Sequence, residues 1–339
     1  MKLLLVLIYS LLIVSCDKKL KPKQKVWRFA LEEVEGSVQH SYALKFKELI
    51  EKELKDEVKV KIYPYGTLGS SDQITEQLAT GALQFAMASP GHIGKSIPEV
   101  QIMLLHYLLS SNQNINKNLL INGKAVAFLR KLYEKKGLKL FSFYPEGQMV
   151  WTTNKKVTSP QDFEGVKMRV MTSPLSLANY KSYGASPVAM PYGEVYSALQ
   201  LKMIDGQVNP IFAIEEMSFY EVTNYLIFSG CAQFITGAVA SLPFWKAAPE
   251  KHKTVITEAI QNLQDYIFVK QKDFNEFRLA RIKEKKPDIK IISLNEEQIK
   301  KFKEKATNVE NLYLEIGGNH ASKVLSLIKE DLKVLSKEI

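Results

Sequence analysis

Between residues 26 and 89 the apolar side chains switch repeatedly between two spacings, and this alternation restricts the fold more than any other feature of the chain. VWRFA, 26–30, reads as a short strand. Residues 38–54 then carry Val38, Tyr42, Phe46, Leu49 and Ile50 at helical spacing. VKVKIYP returns to period two, with Val58, Val60 and Ile62 inward and Lys59 and Lys61 outward, which predicts a half-buried strand. After the turn YGTLGSS, a helix is expected from Asp72 to Leu83. QFAMAS, 84–89, is an apolar strand that ends at Pro90-Gly91. A β-α-β-α-β order implies a mostly parallel sheet with helices on both faces, because parallel neighbours need a crossover about as long as a helix.

The pattern recurs downstream. LKLFSFYP, MVWTTN and VKMRVM read as strands, Ser173 to Tyr183 as a helix and SPVAMP as another strand. Helix 193–204, the turn Asp205-Gly206-Gln207 and the strand Val208-Asn209-Pro210 follow. From about 243 to 284 the chain is nearly all helical, with Phe244, Ile256, Ile260, Leu263, Ile267, Phe274 and Phe277 among its apolar positions, and is long enough to cross between lobes. IKIISL and two helices close the chain. No tandem repeat is visible. With 339 residues and 46% hydrophobic content there is core enough for an α/β chain of two lobes joined by several crossings. The expected division is 26–147 plus about 235–272, and 148–234 plus about 273–339.

The first residues, MKLLLVLIYSLLIVSC, have the form of an export leader. Lys2 precedes a twelve-residue apolar run, Leu3 to Val14, too short to span a bilayer comfortably. Leu12-Ile13-Val14-Ser15-Cys16 resembles the bacterial lipobox. Residues 1–15 are then the signal peptide, Cys16 the lipidated residue and 16–25 a polar tether. Asp17 resembles an inner-membrane retention signal. No second run of eighteen apolar residues occurs, so the expected mature body is soluble and held to the membrane by its lipid. Cys231 is left without a partner for an intramolecular disulfide and reads as a small buried residue.

The net charge of +10 comes from lysines scattered along helical segments such as QIKKFKEKA, not banded with aromatics, so no nucleic-acid face is expected. G-x-S-x-G, H-E-x-x-H, C-x-x-C, a P-loop and a dinucleotide fingerprint are all missing, and the five histidines show no metal-like spacing. No cofactor and no catalytic residue is expected.

Arg169 is the exception to an otherwise apolar strand. It lies among Val166, Met168, Val170 and Met171, just before Thr172-Ser173-Pro174. A guanidinium almost never loses its charge. At the carboxyl end of a strand its planar fork suits a carboxylate ligand. Pairing with a structural Asp or Glu, or reaching to water at a lobe edge, accounts for it equally well.

SPQDFEGVKMRVMTSP followed by GASPVAMPYGEVYSALQLKMIDGQVNP resembles the solute-binding proteins of tripartite ATP-independent periplasmic (TRAP) transporters, the DctP-type family. YPYGTLGSSDQITEQLATGALQFAMAS is similar to the family's upstream segment, and the likeness covers nearly all of the mature chain. It implies a two-lobed periplasmic binding protein that closes over a small organic acid and hands it to a TRAP permease. By the same likeness Arg169 holds the ligand carboxylate, Asn209 bonds the same end and Tyr192 packs on the ligand. Taken alone, Tyr192 is also a helix-start staple and Asn209 a turn former. Phe212 is counted with these candidates.

The chain also departs from the pattern. Many members carry a second arginine where this chain has Met149, Val150 and Trp151, and a glutamate of some sialic-acid binders falls at about Ser89. A polyanionic sugar acid is thereby disfavoured. Met149 and Trp151 either line the cleft as an apolar wall or pack in the core. In the first case the expected ligand is a monocarboxylate with an apolar or aromatic body. The first strand–helix junction, Glu32 to Gln39, is expected to face the cleft from the other lobe, with Glu33 and Gln39 as its candidates; a carboxylate there takes an ammonium or hydroxyl, or equally well caps the helix that follows. A binding protein of an ATP-driven importer or chemosensory system, and a periplasmic enzyme using the same cleft, remain as alternatives.

Overall fold

The computed structural model describes residues 24–337. The leader, Cys16, Asp17 and the tether up to residue 23 lie outside the described residues. Lys25, counted with the tether, is the first residue of a strand.

β1 (Lys25–Ala30) pairs in parallel with β2 (Val58–Tyr63) on one side and β3 (Phe85–Ala88) on the other. Helix Val38–Leu54 begins at Ser37, whose hydroxyl accepts from the His40 N–H at 3.0 Å and satisfies a free first-turn donor. The helix expected to reach Leu83 stops at Thr80. Gly81, at φ 83°, turns the chain into the left-handed region, and its N–H returns to the Leu78 carbonyl. Leu83 is buried from the loop beyond.

LKLFSFYP and MVWTTN, expected as separate strands, form one strand of 16 residues, β4 (Leu138–Thr153). Its antiparallel partner is β8 (Tyr225–Ser241), which contains SGCAQFITGAVA. β5 (Lys167–Val170), β6 (Ser186–Ala189) and β7 (Gly206–Asn209) complete the second lobe. Gly206 and Gln207 therefore belong to a strand and not to a turn. Helix 193–204 shortens to a 3-10 turn at Tyr192–Glu194 and a helix at Val195–Gln200. The sheet order is β2-β1-β3-β8-β4-β7-β5-β6, with β9 (Lys290–Ser293) beside β8.

β4 and β8 run through both lobes, since β3 pairs with Gly237–Ala240 and β9 with Tyr225–Phe228. The register shifts between Pro145 and Gly147, opposite Ile235 and Phe234. Gly147 has φ 145°, and a Cβ there would sit 2.5 Å from Asn275 Nδ2. Asn275 belongs to the long helix Glu250–Lys285. Its amide donates to the Glu146 carbonyl at 2.8 Å, and its Oδ1 accepts from the Phe212 N–H at 3.1 Å. One side chain thus ties the crossing to the long helix and to helix Ile211–Glu216 of the second lobe. The long helix packs on Val38–Leu54 in the first lobe and on helix Ile211–Glu216 in the second. Phe277, on the same helix, is 58% exposed.

Each strand divides its residues between two cores by its period of two. In the second lobe Trp151, Met168, Val170 and Val208 share one core. Arg169 stands opposite Gln207, and Asn209 opposite Val150, on the other face.

Candidate ligand-binding site

The carboxyl ends of β1, β3, β5 and β7 meet between the lobes, where loops and helix starts leave polar groups free. Glu33, Gln39 and His92 reach the space from the first lobe. Arg169, Tyr192 and Asn209 reach it from the second, with Met171, and Phe234 enters from the crossing. The volume of this space is about 30 Å³, room for a water or two and too little for an organic solute in this conformation.

Arg169 is 2% exposed. Its Nε and Nη2 donate to the Met190 carbonyl at 3.0 and 2.7 Å. A guanidinium has five N–H donors, so three are left for the cavity. Among the described residues no carboxylate pairs with it. Burial pushes its pKa down to about 10, which leaves it charged at neutral pH. Tyr192 meets Tyr65 edge-on at 5.9 Å, and its hydroxyl is buried without a partner among the described residues. Asn209 Nδ2 donates to Gln207 Oε1, and the same amide keeps a second hydrogen free. Gln207 is anchored in turn on Thr152 Oγ1 at 3.0 Å.

The opposite wall is acidic. Glu32 is fully engaged: Oε2 accepts from the Ser89 N–H at 2.8 Å and Oε1 lies 3.0 Å from His92 Nδ1. Glu33 is not. Its one contact of this kind is the Gln39 N–H, at 3.4 Å from Oε2. Gln39 Nε2 donates to Glu146 Oε1 at 3.0 Å, and Glu146 Oε2 has no partner. Burial first, and Glu146 second, hold the Glu33 carboxyl well above the usual carboxylate range. Burial pushes Glu146 up to about 7. Glu216, on helix Ile211–Glu216, is pushed to about 9 by burial, with Glu33 adding to the effect.

Of the residues expected at the cleft, Arg169, Asn209, Tyr192, Glu33 and Gln39 come together. Four others do not. Trp151 is fully buried on the opposite sheet face, against Phe163 and Phe302, and its Nε1–H donates to the Tyr180 hydroxyl at 3.0 Å. The alternation of β4 excludes it from Arg169's side. Met149 has the same parity and lines a neighbouring small cavity, joined to the site through Met171 and Phe234. Phe212 turns into the core against Phe274, and the next residue, Ala213, faces the cavity instead. Ser89 is buried at the start of the Pro90–Ile93 turn, where its N–H fixes Glu32. Of the apolar wall that suggested an aromatic or branched acid, Trp151 is core and Met149 lines the neighbouring cavity.

Sequence reading placed Glu32 in the junction without singling it out, and missed Glu146, His92 and Phe234. A glutamate between the two halves of an apolar strand was the visible signal for Glu146. Phe234 had none. A larger groove, about 640 Å³, lies elsewhere, bordered by Tyr107, Gln148, Gln233, Lys303 and Ser336. It holds no buried unpaired charge, so size does not select it over the smaller cavity. Among the described residues no group of three or more His, Cys, Asp or Glu is placed to hold a metal ion.

Residues 29–315 match the family model described as bacterial extracellular solute-binding protein, family 7, DctP. The chain belongs to this family, the DctP-type solute-binding proteins of TRAP transporters. This solute-binding protein is 39% identical over 313 residues to the ectoine-binding periplasmic protein TeaA of Halomonas elongata, covering 92% of this chain and 91% of that protein. It is also 39% identical to the ectoine/5-hydroxyectoine-binding periplasmic protein UehA of Ruegeria pomeroyi, covering 90% of each. The solved structure of the periplasmic ectoine-binding protein of the H. elongata TeaABC transporter superposes with a TM-score of 0.88 at 38% identity, over 91% of this chain and all of that one. The two-lobed fold and the family expected from the 160–210 block are those found.

Proposed function

We propose that this solute-binding protein captures a small zwitterion with one carboxylate and one delocalised cation, of the ectoine class, and delivers it to a TRAP permease. One observation carries the reading. A buried guanidinium without a carboxylate, Arg169, and a buried carboxyl without a cation, Glu33, face each other across one cavity. Unpaired buried charge is costly, and a ligand of complementary charge relieves both sides at once. Arg169 and Asn209 take the carboxylate, Glu33 the cation, and Tyr192 and Phe234 pack on the ring. The names of the relatives point to the same solute class. The ligand draws the lobes 26–147 plus 235–272 and 148–234 plus 273–339 together about the crossing near Gly147. The protein performs no chemistry on it.

A thermal-shift series tests this with ectoine, a branched 2-oxo acid and a sugar acid. At about 100 times Kd a ligand adds ~2.7 kcal/mol of stability. Ectoine is expected to raise the melting temperature most; a sugar acid that does so while ectoine does not would overturn the reading. Glu33→Gln is expected to lose about 1.5–3 kcal/mol of ectoine affinity, roughly 10- to 150-fold, because a charged hydrogen bond is removed. Affinity for an acid without a cation is expected to be unchanged or higher, measured by calorimetry.

The protein acts from the periplasmic face, held by a lipid on Cys16. What supports this is the leader ending in Val14-Ser15-Cys16 and the polar segment after it. Cys16→Ala is expected to move the protein from the membrane to the soluble fraction, read by fractionation and by the loss of acyl mass.

A further inference from the structure

This inference rests on the zwitterion reading and concerns Glu146, which does not touch the cavity. Gln39 joins three acidic residues. Its side-chain Oε1 accepts from the Glu32 N–H at 2.8 Å, its own N–H reaches Glu33 Oε2, and its Nε2 donates to Glu146 Oε1. Glu146 is completely buried, and its second oxygen has no partner. Its backbone is fixed by Asn275 at the crossing, so the side chain cannot simply move to water.

The groups packed around the pair offer it no cation. From the helix at 38–54 come Ser37 and Tyr42, from β4 Tyr144, and from β8 Thr236. Glu32 is already bound to His92 and Ser89. Helix Ile211–Glu216 adds Glu216, whose Oε1 lies 3.4 Å from Arg278, and Arg278 is itself engaged with Glu215 and the Gly36 carbonyl. His40 turns to the Gly36 N–H. Tyr192 and Arg169 lie across the cavity. Two buried carboxyl groups held by one residue, Glu33 by the Gln39 backbone N–H and Glu146 by its side-chain amide, and with no cation beside them, do not both ionise in the ordinary range.

We propose that Glu33 and Glu146 form one proton-holding pair, in which Glu146 sets the charge that Glu33 shows to the ligand, and that a cation arriving at Glu33 drives one proton from the pair into solvent. The proton leaves a carboxyl group and goes to buffer; no other bond changes. Burial raises both groups, Glu146 to about 7, and Glu146 raises Glu33 further, so the pair holds a proton below neutral pH. Capture of a cation there requires release of a proton. Affinity therefore rises as pH rises, by up to about tenfold per pH unit, until the pair is already ionised. Glu146 is a positioning residue, acting through Glu33.

Calorimetry of the wild-type protein with ectoine as probe, in two buffers of different ionisation enthalpy, counts the protons. Close to one proton is expected to be released at about pH 6 and progressively fewer above pH 7. Glu146→Gln keeps an acceptor for Gln39 and removes the titrating partner. It is expected to bind ectoine near neutral pH about as the wild type does, with proton release and the pH dependence displaced to lower pH. Binding with no proton release and a flat pH profile in the wild type would overturn the pair, and that result needs no variant to fold. A Glu146→Gln profile superimposable on the wild type would overturn the role of Glu146. Absence of ectoine binding at every pH overturns the zwitterion reading first, and this inference with it.

Discussion

Arg169→Ala is expected to remove ligand capture almost entirely while leaving a folded protein. Two charge-assisted hydrogen bonds at about 1.5–3 kcal/mol each amount to about 3–6 kcal/mol, or roughly two to four orders of magnitude in Kd. The stability of the ligand-free protein is expected to change little. The guanidinium is 2% exposed and meets no carboxylate, so its removal relieves a desolvation cost. Against that, the Met190 carbonyl loses its two donors, a penalty of about 1–3 kcal/mol. Calorimetry and a melting curve on the same preparation read the two quantities. A Kd within about threefold of the wild type would mean that Arg169 is structural and that the ligand sits elsewhere. Arg169→Lys is expected to recover only part of the loss, because a point charge lacks the planar fork.

Trp151→Ala is expected to do the reverse. The indole is fully buried among Phe163 at 4.8 Å, Phe302 at 5.1 Å, Tyr183 and Tyr180, and it makes a hydrogen bond to the Tyr180 hydroxyl. Truncating such a side chain costs about 3–5 kcal/mol through the lost contacts and the cavity left behind. Urea denaturation measures that loss. Ligand affinity is expected to stay within about threefold, because the indole lies on the sheet face turned away from Arg169. A variant of near-normal stability with strongly weakened binding would return Trp151 to the cleft.

These two tryptophan and arginine positions show where sequence reading works and where it stops. Arg169 stands out because a charge inside an apolar run is a local anomaly, visible without any knowledge of the neighbours. Glu33 and Gln39 follow from the same logic, at a strand–helix junction that must lie at the carboxyl edge of a parallel sheet. Met149 and Trp151 carry no such anomaly. Whether an apolar residue of β4 meets ligand or core depends on its parity relative to β7. That register is set by pairing across 55 residues, Thr152 with Gln207. Phe212 and Ala213 differ in the same way on one helical turn: adjacent residues point about 100° apart, and only the packing against Phe274 says which faces inward.

The boundaries of the elements follow the same division. The helix Val38–Leu54 and the strand Val58–Tyr63 are where periodicity puts them, because their signals are complete within a few turns. The continuous β4 and its partner β8 are not. Glu146 and Gly147 read as a break between two short strands, yet the chain stays extended there because β8 pairs on either side, Pro145 with Ile235 and Gly147 with Phe234, and Asn275 bonds the Glu146 carbonyl.

By itself the sequence determined the α/β alternation, the family and the one arginine set inside an apolar strand, since each is written in local spacing or in an ordered block of residues. Only the tertiary structure decided that Glu32, Glu146 and Glu216 gather around Glu33, that Glu146 and Glu216 each keep an oxygen without a partner among the described residues, and that the tryptophan is core. Those facts depend on which strands neighbour one another and on which face each residue occupies, and a period of two gives the faces of a strand without saying what lies against them.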